Sequence, residues 1–159
     1  MISDRSVVAL KLAQLPHDLP AIVAIRVAVF QVEQGVDAAL EFDGQDNGAT
    51  HFLAYLNDRP VGTLRIRFLD PALEPATAKL ERLAVLAEAR GKGIGKQIMT
   101  TAIAYLCEKS ILEIRIHAQE PVKEFYEQLG FVAEGTQFYE ANIPHFKMSK
   151  RLEANCGRR

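Results

Sequence analysis

"LAVLAEARGKGIGKQIM", Leu83 to Met99, decides how the rest of the chain is read. An apolar run leads into three alternating glycines, Gly91, Gly93 and Gly95, and then into a helical stripe of Ile94, Ile98, Ala102 and Leu106. A strand running into a glycine loop and then a helix points backbone N–H groups at the space beyond the strand. The helix's first-turn donors and its dipole favour negative charge there. Side chains at 91, 93 and 95 would obstruct a phosphate and would resist the positive φ values such loops often use. Arg90, Lys92 and Lys96 add fixed positive charge. The plainer alternative is a helix entry with flexible glycines and solvated cations.

The two better known phosphate templates do not fit. The P-loop needs Gly five residues before Gly95 and Ser or Thr after the lysine, where this chain has Arg90 and Gln97. The dinucleotide fingerprint needs G-x-G-x-x-G and an acid closing the next strand; here the spacing is G-x-G-x-G and Glu113 opens that strand.

The bulk properties restrict the partners. The chain has 159 residues, 48% apolar and 25% charged, which is ordinary for a single globular domain over residues 1–159. Nineteen Lys and Arg stand against 20 Asp and Glu, so no global field captures nucleic acid or an anionic membrane, and an anion must be held locally. No aromatic-interleaved basic stripe accompanies the loop cations, which disfavours a nucleic-acid role. No apolar run approaches the roughly 20 residues that span a bilayer, and no secretory leader opens the chain. Cys107 in a helical pattern and Cys156 in a polar tail suggest neither a disulfide framework nor a metal site, which points to a reducing, cytoplasmic compartment.

Along the chain, "VVALKLA" is expected to be a first strand, and Leu19 to Gln34 a helix built on Ile22, Ile25, Val29 and Val32 and ended by Gly35. The acidic stretch "EFDGQDNG" leads into a hairpin, "THFLAYL" and "VGTLRIRFL", around Asn57 to Pro60. "KLERLAVL" is the strand that feeds the loop. Beyond the loop helix come a strand, "LEIRIHA", a short helix, "PVKEFYEQLG", and terminal strands around "GFVAEG" and "IPHFKMSK".

One template does fit: R/Q-x-x-G-x-G/A is satisfied by "RGKGIG", Arg90 to Gly95. With "LERLAVL" before it and "AQEPVKEFYEQLGF" downstream, the chain resembles the GNAT superfamily of acetyl-CoA-dependent N-acyltransferases. "VFQVEQGV", "DGQDNGATHFLAY" and "YEANIPHFKM" extend the likeness to the ElaA-like group over most of the length. Two positions depart from it: a "DG" pair often stands where Ala141 and Asn142 are, and the superfamily's helix-leading Asn is Gln119. The resemblance implies an α/β (α+β) fold, a mixed, mostly antiparallel twisted sheet of six to seven strands flanked by helices. It also implies acetyl-CoA as cosubstrate and direct acetyl transfer to a primary amine of a small molecule or peptide.

The same resemblance distributes roles. The pyrophosphate falls to Arg90, Gly91, Lys92, Gly93, Ile94, Gly95 and Lys96, pantetheine to the backbone around Leu83 and Val85, and further cofactor contacts to Gln119 and Phe125. Tyr126 corresponds to the tyrosine near the coenzyme A sulfur, and a phenol with a pKa near 10 carries the proton a departing thiolate needs. The base stays open. Uninterrupted alternation puts Glu81, Leu83 and Val85 on one strand face and Arg82 on the other, so Glu81 is a base candidate if its face meets the acceptor. Arg82 orients or binds a carboxylate if the opposite face does. His145, inside "IPHFKM", and His117 are candidates for a proton shuttle by residue type, and each is equally readable as a structural histidine. His51, at a strand start, is accounted for by capping or simple exposure. No histidine pair has i, i+4 ligand spacing with a nearby Cys, so metal catalysis is not supported.

Acceptor recognition falls to the first helix and the loop after it. Phe30, Glu33 and Gln34 lie near the helix end, and the loop acids Glu41, Asp43 and Asp46 suit a cationic amine, with solvation as the plainer reading of those three. An alternative from a different class is a non-catalytic acyl-CoA-binding or regulatory module, against which the retained Tyr126 argues. The apolar C-terminal strand suits a homodimer interface.

Overall fold

The computed structural model describes residues 6–154 and 156. Seven strands form one mixed sheet: β1 (Val8–Leu12), β2 (Thr50–Leu56), β3 (Arg59–Phe68), β4 (Thr77–Val85), β5 (Glu113–Gln119), β6 (Val132–Glu140) and β7 (Ile143–Arg151), in the order β1-β2-β3-β4-β5-β7-β6. β1 and β2 pair antiparallel, as do β5 with β7 and β6 with β7, whereas β4 and β5 run parallel over Thr77–Lys79 and Glu113–Arg115. The helices are α1 (Leu19–Arg26), α2 (Ala38–Glu41), α3 (Ile94–Glu108) and α4 (Lys123–Gln128). Among the described residues, no helix is long and apolar enough to cross a membrane.

The chain divides into two compact units. One contains the residues up to Arg65 together with Arg82–Met99, and the other contains Ile66–Glu81 together with the residues from Thr100 on. In the first, Ile22, Ile25, Val29, Leu53 and Ala84 form a buried cluster. Burial of each large aliphatic side chain contributes about 1.5–3 kcal/mol. The β2–β3 turn places Asn57 at φ 50° and Asp58 at φ 66°, the left-handed pair that lets a two-residue turn follow the strand twist. The expected helix over Leu19–Gln34 is an α-helix only as far as Arg26. α1 widens at Val27 into a π-helical segment, Val27–Glu33, before Gly35 closes it at φ 68°. A short helix precedes the acidic stretch: Asp37 accepts a hydrogen bond from the N–H of Ala39 at 2.8 Å and starts α2, which ends at Glu41, and residues 42–48 form the expected loop.

In the second unit, Ile114, Ile116 and Ala118 alternate along β5 with Arg115, His117 and Gln119. The apolar set is buried with Ala78, Leu80, Ala102, Leu106, Phe131 and Met148. The β6–β7 turn is again a left-handed pair, Ala141 at φ 52° and Asn142 at φ 61°. One expectation is corrected here: Cys107, near the end of α3, and Cys156, beyond β7, are joined as a disulfide with Cα atoms 5.9 Å apart. Forty-nine residues separate them, so neither local stretch announces the pairing, and the cysteines no longer speak for a reducing compartment.

Candidate active site

The first unit holds the glycine loop. β4 ends at Val85, a short 3₁₀ turn covers Ala87–Ala89, and Gly93 caps α3, its carbonyl accepting from the N–H of Gln97 at 3.0 Å. The N–H groups of Ile94, Gly95 and Lys96 therefore open the helix without intrahelical acceptors. Gly91 and Gly93 adopt φ 77° and 75°, which a side chain would strain, and a Cβ at either would meet nothing within 4 Å. The loop backbone thus faces open space, as a close-approaching phosphate requires. Gly95, inside α3, has helical geometry and makes no such demand. Lys92 and Lys96 are exposed cations, whereas the Ile94 side chain is buried, so only the Ile94 backbone serves the loop.

Arg90 is held at both ends of its guanidinium. Its Nε donates to the Val85 carbonyl at 3.0 Å, and its Nη2 donates to Glu33 Oε1 at 2.8 Å. Two residues assigned separately, one to the cofactor and one to the acceptor, are thereby in contact. Phe30 packs against the apolar cluster of this unit, and Gln34 is exposed at the end of the π-helical segment.

The loop acids are paired with arginines rather than left free for an amine, although Asp43 stays exposed. Arg26 donates to Glu41 Oε1 at 2.5 Å and to Asp46 Oδ1 at 2.6 Å. Arg65 donates to both oxygens of Asp43, at 2.8 and 2.7 Å, and to Asp46 at 3.0 Å. Arg26 and Arg65 are fully buried. The Arg65 hydrogen bonds hold the Asp43 carboxyl far below its usual range, with help from the N–H of Gln45. Burial opposes the charge on Asp46, but the bonds from Arg26 and Arg65 outweigh it and leave that carboxyl lowered as well. Arg82 donates to the carbonyls of Leu40 and Glu41 and to Asp43 Oδ2, at 3.4, 3.2 and 3.3 Å, so it holds α2 rather than offering a free charge. Its backbone sits at φ 59°, a left-handed residue inside β4, which interrupts the alternation by which Glu81, Leu83 and Val85 were put on one face. His51, expected at the surface, is buried with Nε2 2.9 Å from the Asp46 carbonyl, and burial lowers its pKa.

The second unit holds the other candidates. The Tyr126 ring is buried edge-on against Phe125 and Phe131, with centroids 5.1 and 5.9 Å away, and burial pushes its phenol well above the ordinary range. Glu81 is engaged by Arg67 and by Lys79, the latter at 3.7 Å, so two cations occupy its oxygens. His117 and His145 share the polar face of β5 and β7 and converge on Glu140, which sequence reasoning missed. His117 Nδ1 lies 3.1 Å from Glu140 Oε1 and His145 Nε2 lies 3.6 Å from Oε2. Hydrogen bonding from His117 outweighs burial and lowers the Glu140 carboxyl. His145 Nδ1 is 2.7 Å from the Ile143 carbonyl; a carbonyl only accepts, so Nδ1 carries a proton, and Nε2 faces the Glu140 carboxylate. Gln119 closes β5 opposite His145 and leads into the 3₁₀ turn Glu120–Val122.

The buried arginines left a faint trace in the sequence. Arg26 interrupts the apolar stripe of α1, and Arg65 sits in "TLRIRF" ahead of no obvious partner, while the acids that neutralise both lie in "EFDGQD". Glu140 left none, because its neighbours are fixed by the register of three strands.

Residues 18–152 match the family model described as Acetyltransferase (GNAT) domain. The chain is 36% identical to YyaT of Bacillus subtilis over 141 residues, which cover 87% of this chain and 92% of that protein. It is 31% identical to ElaA of Escherichia coli over 140 residues, 84% and 88% of the two chains. The crystal structure of E. coli ElaA superposes with a TM-score of 0.81 at 26% identity over 91% of this chain and 100% of that one. Arabidopsis thaliana Naa50, solved in complex with the bisubstrate analogue CoA-Ac-MVNAL, superposes with a TM-score of 0.72 at 26% identity over 91% and 99%. Loop, fold and relatives agree: the chain belongs to the GNAT acetyltransferase family.

Proposed function

We propose that the protein is an acetyl-CoA-dependent N-acetyltransferase that moves acetyl directly from the thioester to a primary amine of a small molecule or peptide, as one domain whose family match runs through both units. The observation that carries this reading is the loop Arg90–Gly95, where two left-handed glycines leave open space before three helix-start donors that have no acceptor within the helix. Those groups fit a pyrophosphate, with Lys92 and Lys96 supplying charge. Leu83 and Val85 supply backbone partners for pantetheine, and Gln119 and Phe125 flank it.

In the transfer a C–N bond forms as the C–S bond breaks. The N–H at Val85 polarises the thioester carbonyl. His145 takes the proton from the attacking amine; Glu81, the other candidate base, has its oxygens held by Arg67 and Lys79. Tyr126 returns a proton to the departing sulfur, and burial keeps that phenol protonated at neutral pH. In the first unit Phe30, Glu33 and Gln34 are the acceptor-binding candidates, with Arg82 holding α2 beside them, and in the second unit the candidate is His117.

Calorimetric titration of acetyl-CoA into the wild type and an Arg90→Ala/Gly93→Val double variant tests this. Binding by the wild type that is lost in the variant, followed by thioester turnover with a panel of primary amines, is the expected result. No binding by the wild type removes the reading, and binding without turnover turns it into an acyl-CoA-binding module.

A further inference from the structure

The contact between Glu33 and Arg90 links residues with opposite assignments. Glu33 closes the π-helical segment on the acceptor side of the first unit, and Arg90 opens the phosphate loop, yet Arg90 Nη2 donates to Glu33 Oε1 at 2.8 Å. The same guanidinium is tied through Nε to the carbonyl of Val85, the residue that closes β4 ahead of the loop. Arg90 therefore has a carboxylate and a carbonyl as its present acceptors, and Glu33 has a guanidinium as its present cation. A phosphate at the loop and an ammonium at Glu33 are each the chemical equivalent of a partner already in place.

We propose that Glu33 is a positioning residue that couples the two substrates: its carboxylate competes with the cosubstrate's phosphates for Arg90. The inference rests on the acetyl-CoA reading of the loop. A cationic amine that engages Glu33 withdraws its charge from Arg90 and leaves the guanidinium to the pyrophosphate. A pyrophosphate that engages Arg90 leaves Glu33 to the ammonium. Each ligand then raises the other's affinity by the same factor, because coupling between two binding sites is reciprocal. The side chains of Arg90 and Glu33 are 45% and 36% exposed, so the pair is screened and its release is a modest effect.

Coenzyme A itself is the probe, titrated calorimetrically into the wild type, Glu33→Gln, Arg90→Gln and the double variant at low and high salt. Glu33→Gln is expected to bind coenzyme A about two- to fivefold more tightly at low salt, the range of an exposed ion pair. The gain shrinks at high salt and is absent in the Arg90→Gln background, which a merely structural role for Glu33 would not produce. Equal or weaker binding by Glu33→Gln, or a gain that survives loss of Arg90, overturns the coupling while leaving the cosubstrate assignment intact. A wild type that does not bind coenzyme A overturns both.

Discussion

Tyr126 and His145, the proposed acid and base, are held in different ways. The Tyr126 phenol is enclosed by Phe125 and Phe131 and its neutral form is favoured by burial. The His145 ring is oriented by a backbone carbonyl that accepts from Nδ1–H and by Glu140, which faces Nε2. Tyr126→Phe removes one oxygen from a ring that keeps its packing, so stability and coenzyme A affinity are expected to hold within about twofold. Turnover is expected to fall by about 10²-fold, the lower range of general acid catalysis. Because the phenol stays protonated well past neutrality, the wild-type pH–rate profile shows no basic limb from Tyr126 below pH 9. Steady-state kinetics with the amine that supports turnover checks both points, and an unchanged kcat in Tyr126→Phe removes the acid assignment.

At the scale of elements, turns and caps carry as much of the fold as the strands do. The β6–β7 hairpin closes through Ala141 and Asn142, both left-handed, and an alanine there costs about 1–2 kcal/mol that an Asp-Gly pair avoids. Ala141→Asp with Asn142→Gly is therefore expected to raise the unfolding free energy by about 1–2 kcal/mol in urea titrations, and no gain would show that the turn is not strained. The loop and α3 were legible in sequence for a local reason, since glycines at 91 and 93 and a stripe at Ile94, Ile98, Ala102 and Leu106 state their geometry within a few residues. The widening of α1 at Val27 and the left-handed Arg82 inside β4 were not, because packing rather than local propensity imposes them. Nor were the partners of Arg26, Arg65 and Glu140, which lie between 5 and 23 residues away and meet only when strand order and register are fixed, as Glu41 and Asp46 do at Arg26 and His117 and His145 do at Glu140.

Across the whole molecule, the charged groups that the fold has taken in bias its stability in one direction. Asp18, Asp43, Asp46 and Glu140 all have lowered carboxyl pKa values, and His51 is lowered by burial. A group whose folded value lies below its unfolded one binds more protons when the chain unfolds, so its contribution is present above the unfolded pKa and is lost as pH falls. His51 therefore begins to withdraw stability below about pH 6.5 and the four carboxylates below about pH 4, the ordinary values of these side chains. Lys11, raised by its hydrogen bond to Asp18, acts with the opposite sign and matters only as pH climbs past about 10. Acidification also leaves 19 Lys and Arg and four His charges without their counterweight, which adds self-repulsion. Urea midpoints are thus expected to be level between about pH 7 and 9, lower at pH 5.5 and much lower at pH 3.5. Asp43→Asn separates the specific from the general cause: it takes one carboxylate from Arg65 while Asp46 stays, lowers the midpoint at neutral pH and flattens the acid limb, because the group that would have been protonated is already neutral. An acid limb as steep in Asp43→Asn as in the wild type would assign the loss to net charge alone and remove the arginine–carboxylate network as its source.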